Sequence, residues 1–220
     1  MIILIHQMIE IIDILRREYP HIKGTALNYK NPLELLIATI LSAQTTDERV
    51  NMVTEELFKK YKSAEEFASA DINELERYIK SVNFYKNKAR YIKECCKIIS
   101  EKYRGKIPDN MQDLISLPGV SRKTANVVLS NAFRKDEGIV VDTHVMRLSQ
   151  RIGLTDEKNR DKIEEDLMKK FPKDKWFDLS NLLIAHGRKI CKAKNPLCEK
   201  CVLNKICRSA YEHRRGDKKN

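Results

Sequence analysis

No stretch of this 220-residue chain alternates apolar and polar residues long enough to make a half-buried strand. Only Gly138-Ile139-Val140-Val141 is strand-like, and it is too short and isolated to argue for a sheet. No apolar run approaches the length of a membrane span, so no membrane partner is expected. The opening run Met1-Ile2-Ile3-Leu4-Ile5 has no basic leader and no small-residue cleavage site. Glu10 and Asp13 soon interrupt it, which argues against a secretory signal and makes an intracellular location the default. Low-complexity segments and repeats of fixed period are missing as well. His144 and His186 lack metal-ligand spacing to another histidine and are read as structural.

What is present describes a soluble globular protein. Hydrophobic residues make up 42% and charged residues 33%, over a length that holds one domain or two small ones. The formal net charge of +11 is unevenly placed. Residues 188–220 hold 11 Lys/Arg against 3 Asp/Glu, a net of +8, which leaves +3 for residues 1–187. A basic concentration of this kind suits a polyanion. The run from Arg214 to Lys219 reads as a solvated tail. Arg188, Lys189, Lys192 and Lys194, interleaved with cysteine, do not.

Helix signals fill the chain. Ile5, Met8, Ile9, Ile12 and Leu15 recur at helical spacing, predicting an amphipathic helix over 2–18 that ends before Pro20. Asn31-Pro32-Leu33-Glu34 opens a second helix, with Asn31 as cap, Pro32 first and Glu34 reaching back, running to Gln44. Thr46-Asp47 starts a third helix through Tyr61, Ser63-Ala64-Glu65-Glu66 a short fourth, and Asp71 a fifth. Residues 84–103 form a long sixth, stopped by Gly105 and Pro108, with Cys95-Cys96 as core filler. Further helices are predicted at 143–151, 159–170 and 175–189. The fold class is all-α.

The most informative stretch is Leu114-Ile115-Ser116-Leu117-Pro118-Gly119-Val120-Ser121-Arg122-Lys123-Thr124-Ala125, followed later by Val141-Asp142-Thr143-His144. Pro118 cannot continue a helix, and Gly119 supplies backbone angles that a side chain would forbid. Ser121 is placed to cap a second helix whose apolar face runs through Ala125, Val128 and Leu129. Such a turn points backbone N–H groups at solvent and suits a phosphate. Lys123 falls in the first turn, where a cation is disfavoured. It reads either as one more solvated lysine or as a nucleophilic amine, with Asp142 as a carboxylate to assist it.

Four of the six cysteines lie as Cys191-x6-Cys198-x2-Cys201-x5-Cys207. Close spacing in an intracellular chain argues for a metal site, and four thiolates suit either structural zinc or an iron–sulfur cluster. Zinc ribbons usually bring two Cys-x-x-Cys pairs, and this chain has one.

The hairpin and aspartate motifs together resemble the signature of endonuclease III DNA glycosylases. The resemblance runs from about Asn31 to Cys207 and implies two helical domains flanking a DNA-binding cleft. Residues 25–136 would be a six-helix barrel carrying the helix-hairpin-helix; residues 1–24 and 137–220 would be the iron–sulfur domain. It implies a [4Fe-4S] cluster on Cys191, Cys198, Cys201 and Cys207. It further implies Lys123 as the nucleophile that attacks C1′ of a damaged nucleotide, with Asp142 assisting. Gly119, Ser121 and Arg122 would meet phosphate, as would Arg188, Lys189, Lys192 and Lys194. The family usually has glycine where Ser121 stands, so altered backbone contact is expected there.

Leu41-Ser42-Ala43-Gln44-Thr45-Thr46-Asp47 resembles the family's minor-groove loop, which makes Gln44 the residue that fills the hole left by an extruded nucleotide. Val82-Asn83-Phe84-Tyr85 resembles the loop of the wedge residue and places Phe84 there. Asn83 replaces a usual glycine, and asparagine tolerates a left-handed backbone. From the residues alone, Phe84 and Tyr85 would be core. The implied function is base excision repair: a glycosylase that removes damaged, chiefly oxidised pyrimidine, bases and cleaves at abasic sites. The expected partner is double-stranded DNA, the expected state a monomer, and the expected location the cytoplasm and nucleoid of a prokaryote. Mismatch-specific relatives often carry tyrosine at the lysine position, and Lys123 speaks against them. The adenine-specific branch has a catalytic glutamate where this chain has Ala38. A non-catalytic iron–sulfur DNA-binding module is the alternative from another class.

Overall fold

The computed structural model describes residues 5–210, with side chains from Met8 onward. The opening residues 1–4 and the tail reading at 214–219 lie outside the described residues. Among the described residues there are eleven α-helices, two short 3₁₀ turns and no strand. None of these helices is long and apolar enough to cross a membrane. The chain divides into two compact units, Thr25–Glu137 and the combination of Met1–Gly24 with Gly138–Asn220.

The Thr25–Glu137 unit is built around α2 (Pro32–Leu41), whose residues from Leu33 to Leu41 are all buried except Glu34. A helix that is apolar all round belongs inside a core. Asn31 caps it by accepting the Glu34 N–H at 2.9 Å, while the Glu34 carboxylate takes the Lys30 N–H at 2.7 Å. The helix stops at Leu41, short of the predicted Gln44, because Gln44 adopts a left-handed backbone with φ 55°.

Next come α3 (Asp47–Lys60), which packs on α2, and α4 (Ala64–Ser69) and α5 (Ile72–Ile79), which pack on the long helix that follows them. Their caps Thr46, Ser63 and Asp71 each accept the N–H three residues on. Each such cap is worth about 1 kcal/mol. The long α6 (Tyr85–Tyr103) ends in left-handed residues Arg104 and Gly105, with the Gly105 N–H bonded to the Ile99 carbonyl at 3.0 Å. Cys95 and Cys96 are buried in this core, and burial pushes the Cys95 thiol up to about 12, so it stays an unreactive filler. Two helices, α7 (Met111–Ile115) and α8 (Arg122–Ala132), complete the unit.

The other unit packs α1 (Ile5–Glu18) with α9 (Thr143–Ile152), α10 (Arg160–Lys170) and α11 (Trp176–Lys189). Met8, Ile11, Ile12 and Leu15 of α1 share one core with Leu148, Ile163, Leu182 and Leu183. The strand-like Gly138–Val141 segment pairs with no strand. Its Val140 N–H donates to the Ser180 hydroxyl at 3.0 Å, so a side chain of α11 takes the place of a ladder.

Candidate nucleic-acid interface and metal centre

The hairpin is built as its residue types require. After α7 the chain turns through Gly119 at φ 76°, and a Cβ there would lie 2.8 Å from the Tyr91 Cβ. Both the angle and the space demand glycine. Ser121 caps α8, its hydroxyl accepting the Thr124 N–H at 3.2 Å and lying 3.1 Å from the Thr124 hydroxyl. Ala125, Val128 and Leu129 are fully buried, which turns Arg122 and Lys123 outward at the start of the helix. Lys123 is thus the exposed second residue of α8, beside backbone N–H groups that no helical carbonyl satisfies.

The other two loops of this unit meet. Gln44 and Phe84 are both exposed, Phe84 to 60%, and both have left-handed backbones at φ 55° and 58°. Phe84 is therefore not core. Tyr85, next along, packs against the core instead. The left-handed angle expected of Asn83 falls on Phe84. Asn83 uses its side chain, donating from Nδ2 to the Gln44 carbonyl at 2.5 Å. The physical reason is that Phe84 is the residue before α6, where the chain must reverse into the helix.

Asp142 belongs to the other unit, as the N-cap of α9. Its Oδ1 accepts the N–H groups of His144 and Val145, both at 2.8 Å. Oδ2 takes no part in this cap. The carboxylate is therefore oriented by the helix it starts.

The four cysteines surround a cavity of about 200 Å³ whose other walls include Ile190, Pro196, Leu197 and Ala210. Burial pushes the Cys201 thiol up to about 11, and the three other cysteines push in the same direction. Four thiolates together in such a place need cationic charge among them. Among the described residues no group of three or more His, Cys, Asp and Glu side chains is drawn together to hold a metal ion. A single zinc would require its sulfurs about 2.3 Å from one point. Sulfurs spread around a cavity fit a cluster better.

Hydrogen-bond donors reach these sulfurs. His186 Nε2 lies 3.2 Å from Cys201 Sγ, and its Nδ1 lies 2.8 Å from the Tyr19 hydroxyl. A ligating sulfur is deprotonated and can only accept, so Nε2 carries the proton and Tyr19 donates to Nδ1. Burial lowers the His186 pKa to about 4, which keeps the ring neutral in this role. Arg151 donates to Cys191 Sγ at 3.5 Å and to the carbonyls of Lys192 and Ala193 at 2.7 and 3.0 Å. Arg147 adds two bonds to the Cys191 carbonyl, at 3.1 and 2.8 Å. Arg188 and Lys189 end α11 and, with Lys192 and Lys194 in the cysteine loop, are exposed.

Sequence reasoning missed Tyr19, His186, Arg147 and Arg151 as supports of the cysteine loop. A helical Arg147-x3-Arg151 pair is a visible signal, but its target, 40 residues or more away, is not. Reading both histidines as structural holds for His144, which lies 3.2 Å from Arg147 and against Gly187. It holds for His186 too, which is buried with Nδ1 at Tyr19 and Nε2 at Cys201; what the sequence does not show is that its structural role is to support a cysteine.

Residues 37–173 match the HhH-GPD superfamily base excision DNA repair protein model, and residues 191–207 match the iron–sulfur binding domain of endonuclease III. Endonuclease III of Synechocystis sp. is 49% identical over 201 residues, 91% of either chain. A solved non-covalent endonuclease III–DNA complex is similar at TM-score 0.90 and 40% identity, over 97% of this chain and 100% of that one. A trapped endonuclease III–DNA covalent intermediate with an estranged adenine gives the same values.

Proposed function

The chain belongs to the endonuclease III family of the HhH-GPD superfamily of base excision DNA repair proteins, and on that premise we propose that it excises oxidised pyrimidines through Lys123 and Asp142. It is a DNA glycosylase with abasic-site lyase activity, it binds DNA, and it carries a [4Fe-4S] cluster. The observation that carries the chemical assignment is the place of Lys123, an exposed amine at the start of α8 behind the Gly119 turn.

Reaching a base inside a duplex costs a few kcal/mol for unstacking, least where the base is damaged. Gln44 and Phe84, exposed on two neighbouring loops, offset part of that cost by filling the vacated stack. The Lys123 amine then bonds to C1′. The glycosidic bond breaks with its electron pair leaving on the base, which takes up a proton. The amine gives up one proton, and the C1′–O4′ bond opens as O4′ takes one up, which leaves a protonated Schiff base at C1′. Removal of a proton from C2′ then expels the 3′ phosphate and breaks the strand. Asp142, held by the α9 cap, faces the positive charge that develops on the sugar. Phosphates meet the hairpin and the basic residues of the cysteine loop, which position the enzyme without reading sequence. The [4Fe-4S] cluster, when bound, supplies a covalent cross-link that fixes the 191–207 loop. Each unit closes its own hydrophobic core, which supports action as a monomer.

A panel of single-lesion duplexes tests the substrate class. Excision of oxidised pyrimidines with nicking is expected, together with nicking of a preformed abasic site. Removal of mispaired thymine or uracil alone, without nicking, would favour the mismatch branch. Tight binding with no product from any duplex would leave a DNA-binding module.

Affinity for undamaged duplex should fall steeply with salt. If about five phosphates are neutralised, log K against log salt has a slope on the order of −4.5. Lys192→Ala with Lys194→Ala should flatten that slope by about 0.9 for each lysine that faces a phosphate. An unchanged slope in the double variant removes the cysteine loop from the interface.

A further inference from the structure

Lys88 is a buried cation with no part in the chemistry above. It lies in the first turn of α6 and is 4% exposed. Its Nζ donates to the Leu41 carbonyl at 2.7 Å, the Ala43 carbonyl at 2.6 Å and the Thr45 hydroxyl at 3.3 Å. An ammonium has three donors, and all three are used. Leu41 is the last residue of α2, and its carbonyl lies at the negative end of the helix, past those of Ala38 and Ile40 that the capping turn takes. The ammonium therefore closes that helix end and grips the turn that follows it. Burial pulls its pKa down to about 8.

Asn83 holds the same turn from outside. Its Nδ2 donates to the Gln44 carbonyl at 2.5 Å and its backbone N–H to the Thr45 hydroxyl at 3.3 Å. The turn carrying Gln44 and the turn carrying Phe84 are thereby joined by five hydrogen bonds, across 38 to 47 positions of chain. Gln44 and Phe84 are also two of the five non-glycine residues with left-handed backbones among the described residues. Two exposed side chains in special conformations sit on one hydrogen-bonded platform. Glycine at 83, the usual residue of the family, would leave the outer bond unmade.

We propose that Lys88 and Asn83 are positioning residues that latch the Gln44 turn to the Phe84 turn, so that both side chains enter the DNA stack as one preorganised unit. The inference rests on the insertion reading of Gln44 and Phe84 given above. Its physical content is that the ordering of two separate loops is completed in the free protein rather than on DNA.

The test reads base extrusion directly. A 2-aminopurine beside a paired lesion brightens as the damaged base leaves the stack, and single-turnover excision is followed on the same duplex. Asn83→Gly removes the outer bond, and Asn83→Asp places a carboxylate against the Gln44 carbonyl at an exposed position that leaves the core alone. Both should slow brightening and excision by about two- to tenfold, the worth of one hydrogen bond. Nicking of a preformed abasic site, where no base must leave, should stay at the wild-type rate, and the melting temperature should fall by no more than the few degrees that one hydrogen bond is worth. Lys88→Met should give a larger loss of the same kind. Adding Asn83→Gly to the Gln44→Ala, Phe84→Ala double variant should cost nothing further. An equal extra cost there would mean general damage and would overturn the latch. If Gln44→Ala and Phe84→Ala slow brightening while both Asn83 variants match wild type, insertion stands and the latch is wrong. If Gln44→Ala and Phe84→Ala themselves change nothing, the insertion reading fails and the latch with it.

Discussion

Lys123→Gln is expected to abolish covalent trapping by borohydride on a damaged or abasic strand, and to abolish strand cleavage. Reduction captures only a Schiff base, so a side chain without an amine leaves nothing to trap. Binding to the same DNA should be largely kept, because one cation among many contributes little to counterion release. Asp142→Asn is expected to differ in kind. Its carboxamide oxygen can still accept the His144 and Val145 N–H groups, so α9 keeps its start. What it loses is the charge facing the developing cation, and removal of one preorganised partner costs about 10²–10³ in rate. Slow trapping by Asp142→Asn and none by Lys123→Gln is the pattern to look for in a gel of borohydride-treated reactions. Full trapping by Lys123→Gln would send the search to other amines. Lys88 would not be the first of them, since its ammonium is enclosed and bonded to three oxygens, whereas Lys86 is exposed.

Cys201→Ala should have the next largest effect. The native protein is expected to be brown, with iron rather than zinc and absorbance near about 400 nm, as iron–sulfur chromophores have. With Cys201 gone, the cavity walled by the other three cysteines cannot hold a complete cluster, and the absorbance should disappear. Because metal binding and folding are one free energy in a loop with so little core of its own, residues 191–207 should become open to protease. The Thr25–Glu137 unit, with its separate core, should resist digestion as before. Affinity for undamaged DNA should drop with the loop, since Lys192 and Lys194 lose their anchor. Native protein that analyses for zinc without iron, or a Cys201→Ala variant with unchanged colour, would overturn the assignment of this cavity.

The parts of the fold that follow from local chemistry were open to reading. Asn31, Thr46, Ser63 and Asp71 announce helix starts by their own side chains, and each caps where expected. The Pro118-Gly119 turn and the Ser121 cap are equally local. Helix ends were harder where no glycine marks them. α2 stops before Gln44, whose left-handed turn Lys88 and Asn83 hold from far along the chain, and no window around Leu41 contains either residue. The same holds for Asn83, whose value in this loop is a side-chain donor rather than a permissive backbone. The spacing of the cysteines was enough to suspect a metal. The donors that serve them, His186 and Arg151, with Tyr19 behind His186, come from parts of the chain that only the fold assembles.

The Tyr19–His186 bond spans 167 positions, and the whole Thr25–Glu137 unit lies between its two ends. This insertion sets an order of assembly during synthesis. The inserted unit has its buried core sequence once Leu129 has emerged, when α8 can close against α2, made long before it. α1, made before the inserted unit, must wait with Ile11, Leu15 and Tyr19 uncovered until α11 arrives. The cysteine loop, which follows α11, then meets a His186 that Tyr19 has already oriented. The iron–sulfur site is thus completed only after α1 has found α11, and a ribosome stalled before α11 would display a finished Thr25–Glu137 core with α1 still without a partner.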